Sequence, residues 1–504
     1  MSIHLHLPIL LAFKLISKLS SFANNMKLIK YFSAFMLSAL VLSSCNDYLD
    51  IDPEDKVPET QVDYTNISDM YAPVSGVYAK IRTGGMHWII WPLSIVRDDD
   101  MWSGRTDDQQ LLVDFGNFNY DNAFWGLNEM WNQYYGIVKV ANSALESLEQ
   151  YAANAKSEAD MNNYRAYCGE VRILRSYAYY RLMQAFGDVT ILRTTTQGDL
   201  TRSTKSAVEK YVLDDLQYAI DNCPKLRPNE MEHVGAVTAY TAELLAAKIR
   251  LNRGEYDKVE QLTDDIINSQ RFQLYDDFYQ LFKIPGKLCN ESLFEVQCTD
   301  FGQSSGDVVD ADQWFVFQGP GNLGGWNFIR FYPAFQQWAA DRGETVRQIT
   351  TFMQGDTTTP SGDYVGGTKT EFYNGKTYTP TSQLTPGRSK YGENNNIRIF
   401  RYADVLLMNA EAKVRQGKNG DVPFNLVRSR AQMPNMTGVT VDQILDERRI
   451  ELAGEWGERY NDLLRTSKAA QTFGSKWNEK KTYYPIPLDQ LNNVPALKKD
   501  PLKE

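Results

Sequence analysis

The chain has 504 residues, of which 12% are aromatic and 23% charged, and its formal net charge is −10. An acidic surface repels phosphate backbones, so nucleic acid is excluded as a partner. Four histidines, only His87 and His233 of them beyond residue 44, exclude a multi-histidine metal site, and no CxxC spacing supports thiol redox chemistry or a zinc knuckle.

The first recognisable element is a leader. Lys27 and Lys30 precede an uncharged apolar run from Tyr31 to Leu42, and Leu42-Ser43-Ser44-Cys45 closes it. A basic start, an apolar stretch too short to span a bilayer and small residues before a cysteine make a bacterial-type lipoprotein signal. Cys45 is the predicted lipidation site, where several acyl chains anchor what one chain would hold only marginally. Met26 stands directly before Lys27, so residues 1–25 are expected to be upstream of the true start and 26–44 to be the signal peptide. Beyond the leader no apolar run approaches about 18 residues. Cys168, Cys223, Cys289 and Cys298 allow three disulfide pairings, which the sequence leaves open.

Residues 45–300 read as a helical-repeat half. Trp131, Tyr135, Val138, Ala141, Leu145 and Leu148 recur every three or four positions, as one face of a helix does. Tyr164, Tyr167, Val171, Leu174, Ala178, Leu182 and Ala185 repeat the pattern, with Gly187 as its stop. Helices follow over Val208–Ile220, Thr238–Leu251 and Tyr256–Ile267, the last two joined by a turn at Arg253-Gly254. That pair looks like a degenerate tetratricopeptide unit, two helices crossing at Ala242 and Ala246.

The remaining half, 301–504, opens with an insertion over 301–396, where Gly, Ser, Thr, Pro and Asn dominate and helical periodicity survives only at Pro333–Ala340. Its tryptophans argue for order, and its length argues for function. Helices return at Arg401, where Tyr402, Val405, Leu406, Asn409 and Ala412 share a face. A charge-rich helical stretch is predicted over Val441–Arg465, with a partly buried ion-pair network that fixes geometry.

Three catalytic patterns fail on inspection. Gly302-Gln303-Ser304-Ser305-Gly306 matches a nucleophile elbow, but no histidine follows His233 to complete the triad. Gly319-Pro320-Gly321-Asn322-Leu323-Gly324 matches a dinucleotide fingerprint, yet no helix opens directly after it. Asp98-Asp99-Asp100 and Asp307, Asp310 and Asp312 could pair as glycosidase acids or hold calcium, but 63 acidic residues make such groupings common, and the DxDxDG spacing is absent.

Taken in order, several segments resemble the SusD/RagB family of outer-membrane lipoproteins of Bacteroidetes. They are Cys45-Asn46-Asp47-Tyr48-Leu49-Asp50, Trp131 through Asn142, Gly169–Ser176 with Phe186-Gly187-Asp188-Val189, and Asn290–Glu295. Arg401–Met408, Val427–Ala431, Glu447–Arg465 and Tyr484-Pro485-Ile486-Pro487 complete the set. The resemblance implies a mostly α fold of four degenerate tetratricopeptide-like pairs with few short strands, no catalytic activity and no cofactor. It also implies an oligosaccharide ligand, a lipid anchor facing the cell exterior, and a SusC-like TonB-dependent transporter as partner. It transfers no ligand-binding residue, because the family's motifs lie on scaffold helices.

The residues themselves suggest where a glycan would sit. Trp102, Trp314, Phe317, Trp326 and Asn327 lie outside the periodic helices, with Asp98 and Asp100 as acceptors for sugar hydroxyls. Aromatic faces matched to C–H groups, with a few polar partners, are what a sugar ring requires. The rival readings are a secreted glycoside hydrolase and a helical-repeat adaptor for proteins.

Overall fold

The computed structural model describes residues 62–298, 313–384 and 394–503. Cys45 and its leader, the Gly302–Gly306 motif, and Asp307, Asp310 and Asp312 lie outside them.

Helices α1 (Ala72–Thr83), α2 (Ile90–Ile95) and α3 (Gln110–Gly116) precede the two longest, α4 (Trp125–Ala152) and α5 (Glu158–Phe186). Ser157 starts α5 with a capping box: the Asp160 amide donates to Ser157 Oγ and the Ser157 amide to Asp160 Oδ2, each at 3.0 Å. The helix stops at Gly187, the residue predicted to end it. Most of the expected stripes are inside: Trp131, Tyr135, Val138, Ala141 and Leu148 on α4 and Val171, Leu174, Ala178, Leu182 and Ala185 on α5 are buried, while Leu145, Tyr164 and Tyr167 are half-buried. Each large apolar side chain so buried contributes about 1.5–3 kcal/mol. Next come α6 (Lys205–Asn222), α7 (Ala239–Asn252) and α8 (Tyr256–Asn268), each packed on its predecessor.

Helix α9 (Phe278–Leu281) leads to β2 (Ser292–Val296). The predicted irregular insertion proves to be built of short pieces. They are α10 (Gln313–Val316), β3 (Arg330–Phe331), α11 (Pro333–Asp341), α12 (Val346–Thr351), β4 (Phe352–Gln354), β5 (Thr357–Thr358), β6 (Tyr364–Val365) and β7 (Phe372–Asn374). A far earlier segment, β1 (Met101–Trp102), completes a four-stranded sheet in the order β1-β3-β7-β4. Strands of two or three residues are too short for alternation to register in a sequence, which is why this region reads as loop. β8 (Ile397–Arg401) pairs antiparallel with β2 and runs into α13 (Tyr402–Arg415), which packs on α8 and carries the repeat into the C-terminal half.

After α14 (Asp421–Arg430), the single stretch predicted over Val441–Arg465 is two helices, α15 (Val441–Glu451) and α16 (Glu458–Arg465). Gly457 separates them at φ +76°, and a Cβ there would stand 2.2 Å from the Ser94 carbonyl oxygen. The break also sends Glu455 and Arg459, four residues apart, to different partners. Glu455 binds Arg401 and Lys376, whereas Arg459 binds Asp99.

The ion-pair network is buried, and larger than the sequence implied. Arg401 meets Glu291, Glu451 and Glu455, while Arg347 chelates Glu344 at 2.6 and 2.8 Å. Arg448 joins Asp404 at 2.6 Å to Asp462 at 2.8 Å, and Lys248 takes the other oxygen of Asp404 at 2.6 Å. Burial opposes ionisation of Glu451, but Arg430, Arg401 and Arg347 outweigh it and bring its pKa down to about 2. Cys168, Cys223, Cys289 and Cys298 are free thiols. Among the described residues no helix is long and apolar enough to cross a membrane.

Candidate functional site

Loop 317–328 folds back onto α10 through main-chain bonds. The Asn327 amide donates to the Gly319 carbonyl at 3.0 Å and the Phe328 amide to the Phe317 carbonyl at 2.8 Å. The approach is close enough that a Cβ on Gly325 would stand 2.0 Å from the Gly319 oxygen, so this position requires glycine. At the tip Trp326 is 38% exposed. Its ring meets Trp88 edge-on at 5.8 Å, and Trp88 lies 5.7 Å from Trp125, which opens α4 and is 49% exposed. Phe328 and Phe317 back Trp88 from within, at 5.6 and 6.5 Å. His87 stands 6.2 Å from Trp125, and Arg105 donates to the Trp326 carbonyl at 3.0 Å while lying over the Phe328 ring. Three indoles thus meet at one surface, two of them open to solvent.

The structure divides the residues expected to form the site. Trp326 is on the surface. Beside it Asn327 adopts φ +57°, and its Oδ1 is buried without a hydrogen-bond partner among the described residues. Phe317 is fully buried, and Trp314 is half-buried, stacking on Trp456 at 4.9 Å and meeting Trp91 edge-on. Trp102 sits on β1 rather than in a loop. Tyr332 stacks on it at 5.5 Å and Arg330 lies over the ring at 5.3 Å, leaving Tyr332 as the exposed aromatic of that pair.

The two aspartates are likewise committed inward. Asp98 accepts the Asp100 and Met101 amides at 2.9 Å each, and burial together with the neighbouring Asp100 raises its pKa well above the usual range. Asp100 accepts Arg449 Nε at 2.7 Å, yet burial still pushes its pKa up to about 6. Between them Asp99 is gripped by Arg449 and Arg459. The triplet looks like a free acidic loop in sequence because its arginines lie some 350 residues away.

Sequence reasoning missed Trp88, Trp125, Tyr332 and Arg105. Trp125 carried a usable signal, since it stands one step outside the apolar stripe that begins at Trp131. Chemically, the surface offers flat apolar faces and few polar groups, with Arg105 neutralised by Asp107 at 2.8 and 3.0 Å. Among the described residues no three His, Cys, Asp or Glu side chains converge as a metal site.

The fold and this surface define a helical-repeat protein that presents exposed tryptophans on short connecting segments. Residues 47–251 match the family model described as "Starch-binding associating with outer membrane", and residues 325–488 match that of the SusD family. The chain belongs to the SusD/RagB family. It is similar to a SusD-like protein of Bacteroides ovatus, 24% identical, with 88% of this chain and 85% of that protein aligned. SusD-like protein P2 of Formosa agariphila is also 24% identical, over 93% of this chain and 96% of its own length. In structure the chain resembles surface glycan-binding protein A of Bacteroides thetaiotaomicron in complex with laminarihexaose. There the TM-score is 0.70 at 21% identity, covering 85% of this chain and 98% of that one.

Proposed function

We propose that this protein is a non-catalytic, lipid-anchored glycan-binding protein of the outer membrane. In this reading Cys45 carries the anchor, and captured oligosaccharide passes to a SusC-like TonB-dependent transporter. The observation that carries the reading is the pair of exposed indoles, Trp326 and Trp125, meeting around half-buried Trp88. Exposed indoles cost solvation unless a ligand covers them, and a sugar's C–H faces suit them. Binding by such a surface needs no charge, which agrees with arginines and aspartates that are already paired to one another. The membership in a family with a starch-binding description, and the laminarihexaose complex of a structural relative, support the same ligand class.

The glycosidase reading finds little support nearby. Asp98, Asp99 and Asp100 are spent on main-chain amides and on Arg449 and Arg459, so they offer no free acid–base pair. Affinity electrophoresis against a polysaccharide panel tests the proposal. Retardation in at least one neutral glucan gel, without release of reducing sugar from that glucan, is expected. Mobility unchanged in every gel, or hydrolysis of the retained glucan, would sink it.

A further inference from the structure

A cavity lies at the edge of the four-stranded sheet opposite β1. It has a volume of about 430 Å³ and opens beside β4, between α11, α12 and the β5–β6 hairpin. Its floor is apolar: Phe352, Met353, Val365 and Phe372 are all buried beneath it. Its walls are polar but uncharged. Gln336 and Gln348 are half-buried, Thr345 and Thr358 are exposed, and none of these four side chains hydrogen-bonds to another described residue. The one carboxylate in the lining, Glu344, is 2% exposed and held by both arms of the Arg347 fork. On the rim Ile349 is 58% exposed, the most exposed apolar side chain of this part of the chain.

Each feature narrows the ligand. A volume of this size is in the range of small-molecule sites, which combine an apolar body with a few convergent polar groups. An ionic ligand would find no opposite charge, because Glu344 is neutralised from within. A purely apolar ligand would strip water from the two half-buried carboxamides without replacing its hydrogen bonds, which costs free energy. What remains is an uncharged molecule with hydroxyls around its edge and a C–H face below.

We propose that this cavity is a second saccharide-binding site, taking a neutral mono- or disaccharide unit with Gln336 and Gln348 as its hydrogen-bonding partners. The site is distinct from the tryptophan surface. In the sheet order β1-β3-β7-β4 two strand steps separate β3, which follows Trp326, from β4, a distance of about 10 Å at the usual spacing. The inference does not depend on the ligand of the tryptophan surface, since it rests on the cavity's own lining.

The test uses the intact protein carrying Trp326→Ala, so that the tryptophan surface is weakened and the cavity untouched. Maltose, cellobiose and laminaribiose are titrated by saturation-transfer NMR, with digalacturonate as the charged control. Saturable binding of at least one neutral disaccharide is expected, at least tenfold weaker after Gln336→Leu with Gln348→Leu, and stronger than that of digalacturonate. Should that double variant melt lower, the exposed Thr358→Val serves in its place, with a smaller loss expected. No saturable binding in the Trp326→Ala protein, binding indifferent to the cavity substitutions, or preference for digalacturonate would overturn the proposal.

Discussion

Arg401 clasps both carboxylate oxygens of Glu455, donating from Nε at 2.9 Å and from Nη2 at 2.6 Å. The same guanidinium reaches Glu291 and Glu451, so one side chain ties β8 to the residue before β2, to the end of α15 and to the turn between α15 and α16. Such a knot holds a loop-bearing scaffold in register more than it adds net stability.

Arg401→Met is therefore expected to cost about 3–5 kcal/mol, because three buried carboxylates each lose one of their cationic partners. Urea denaturation measures it. A loss within the ±0.5 kcal/mol common for surface substitutions would mean that water compensates the carboxylates.

At the proposed binding surface, Trp326→Ala and Trp125→Ala should each weaken the best glycan by about 2 kcal/mol, some thirtyfold, with unchanged melting temperatures. Calorimetry decides. Full affinity in both variants would move the site away from these indoles.

Trp314→Ala should behave in the opposite way. Its ring is wedged between Trp456 and Trp91, so removal leaves a cavity worth about 3–5 kcal/mol of stability. Thermal unfolding tests this, and a variant that melts normally but loses ligand would return Trp314 to the binding surface.

A fourth expectation concerns pH. Glu170 is buried on α5, and desolvation raises its pKa to about 8 although the Tyr78 and Tyr71 hydroxyls donate to it at 3.0 and 3.1 Å. Its ordinary value is 4.5, so between pH 4.5 and 8 the folded state holds a proton that the unfolded state has released. Stability from this group is thus complete below pH 4.5 and declines as pH rises towards 8, by about 1.4 kcal/mol per unit at most. Glu170→Gln, which resembles the protonated acid, should flatten that slope in urea melts at pH 5, 6.5 and 8. An unaltered slope would show that other groups set it.

Cys45→Ala should leave a folded protein that no longer partitions into membranes and takes up no labelled palmitate. Equal palmitate incorporation into variant and wild type would remove the anchor assignment.

How legible these features were depended on how locally each is encoded. The long helices α4 and α5 declared themselves through 3.6-residue periodicity and through Gly187, all within one stretch of chain. The split of α15 from α16 did not, because what decides it is the Ser94 carbonyl pressed against Gly457. Trp314 and Trp326 carry the same local signal, aromatic residues in a Gly-rich region. One ends beneath Trp456 and the other in solvent, a difference that depends on elements more than 100 residues away. Asp98–Asp100 misled for the same reason. Their partners Arg449 and Arg459 are distant in sequence and adjacent in space.

The loop bearing Trp326 is held by main-chain bonds to Gly319 and Phe317 and by the close approach of Gly325 to Gly319, besides the packing of the Trp326 ring. Much of its shape is therefore set by backbone that does not depend on which side chain stands at 326. In the proposed site, exchange of that residue, or of Trp125 at the start of its helix, would alter ligand choice and leave the scaffold in place. Under the proposed function, point substitutions at this rim would change the glycan preferred while Arg401 and its carboxylates stay fixed.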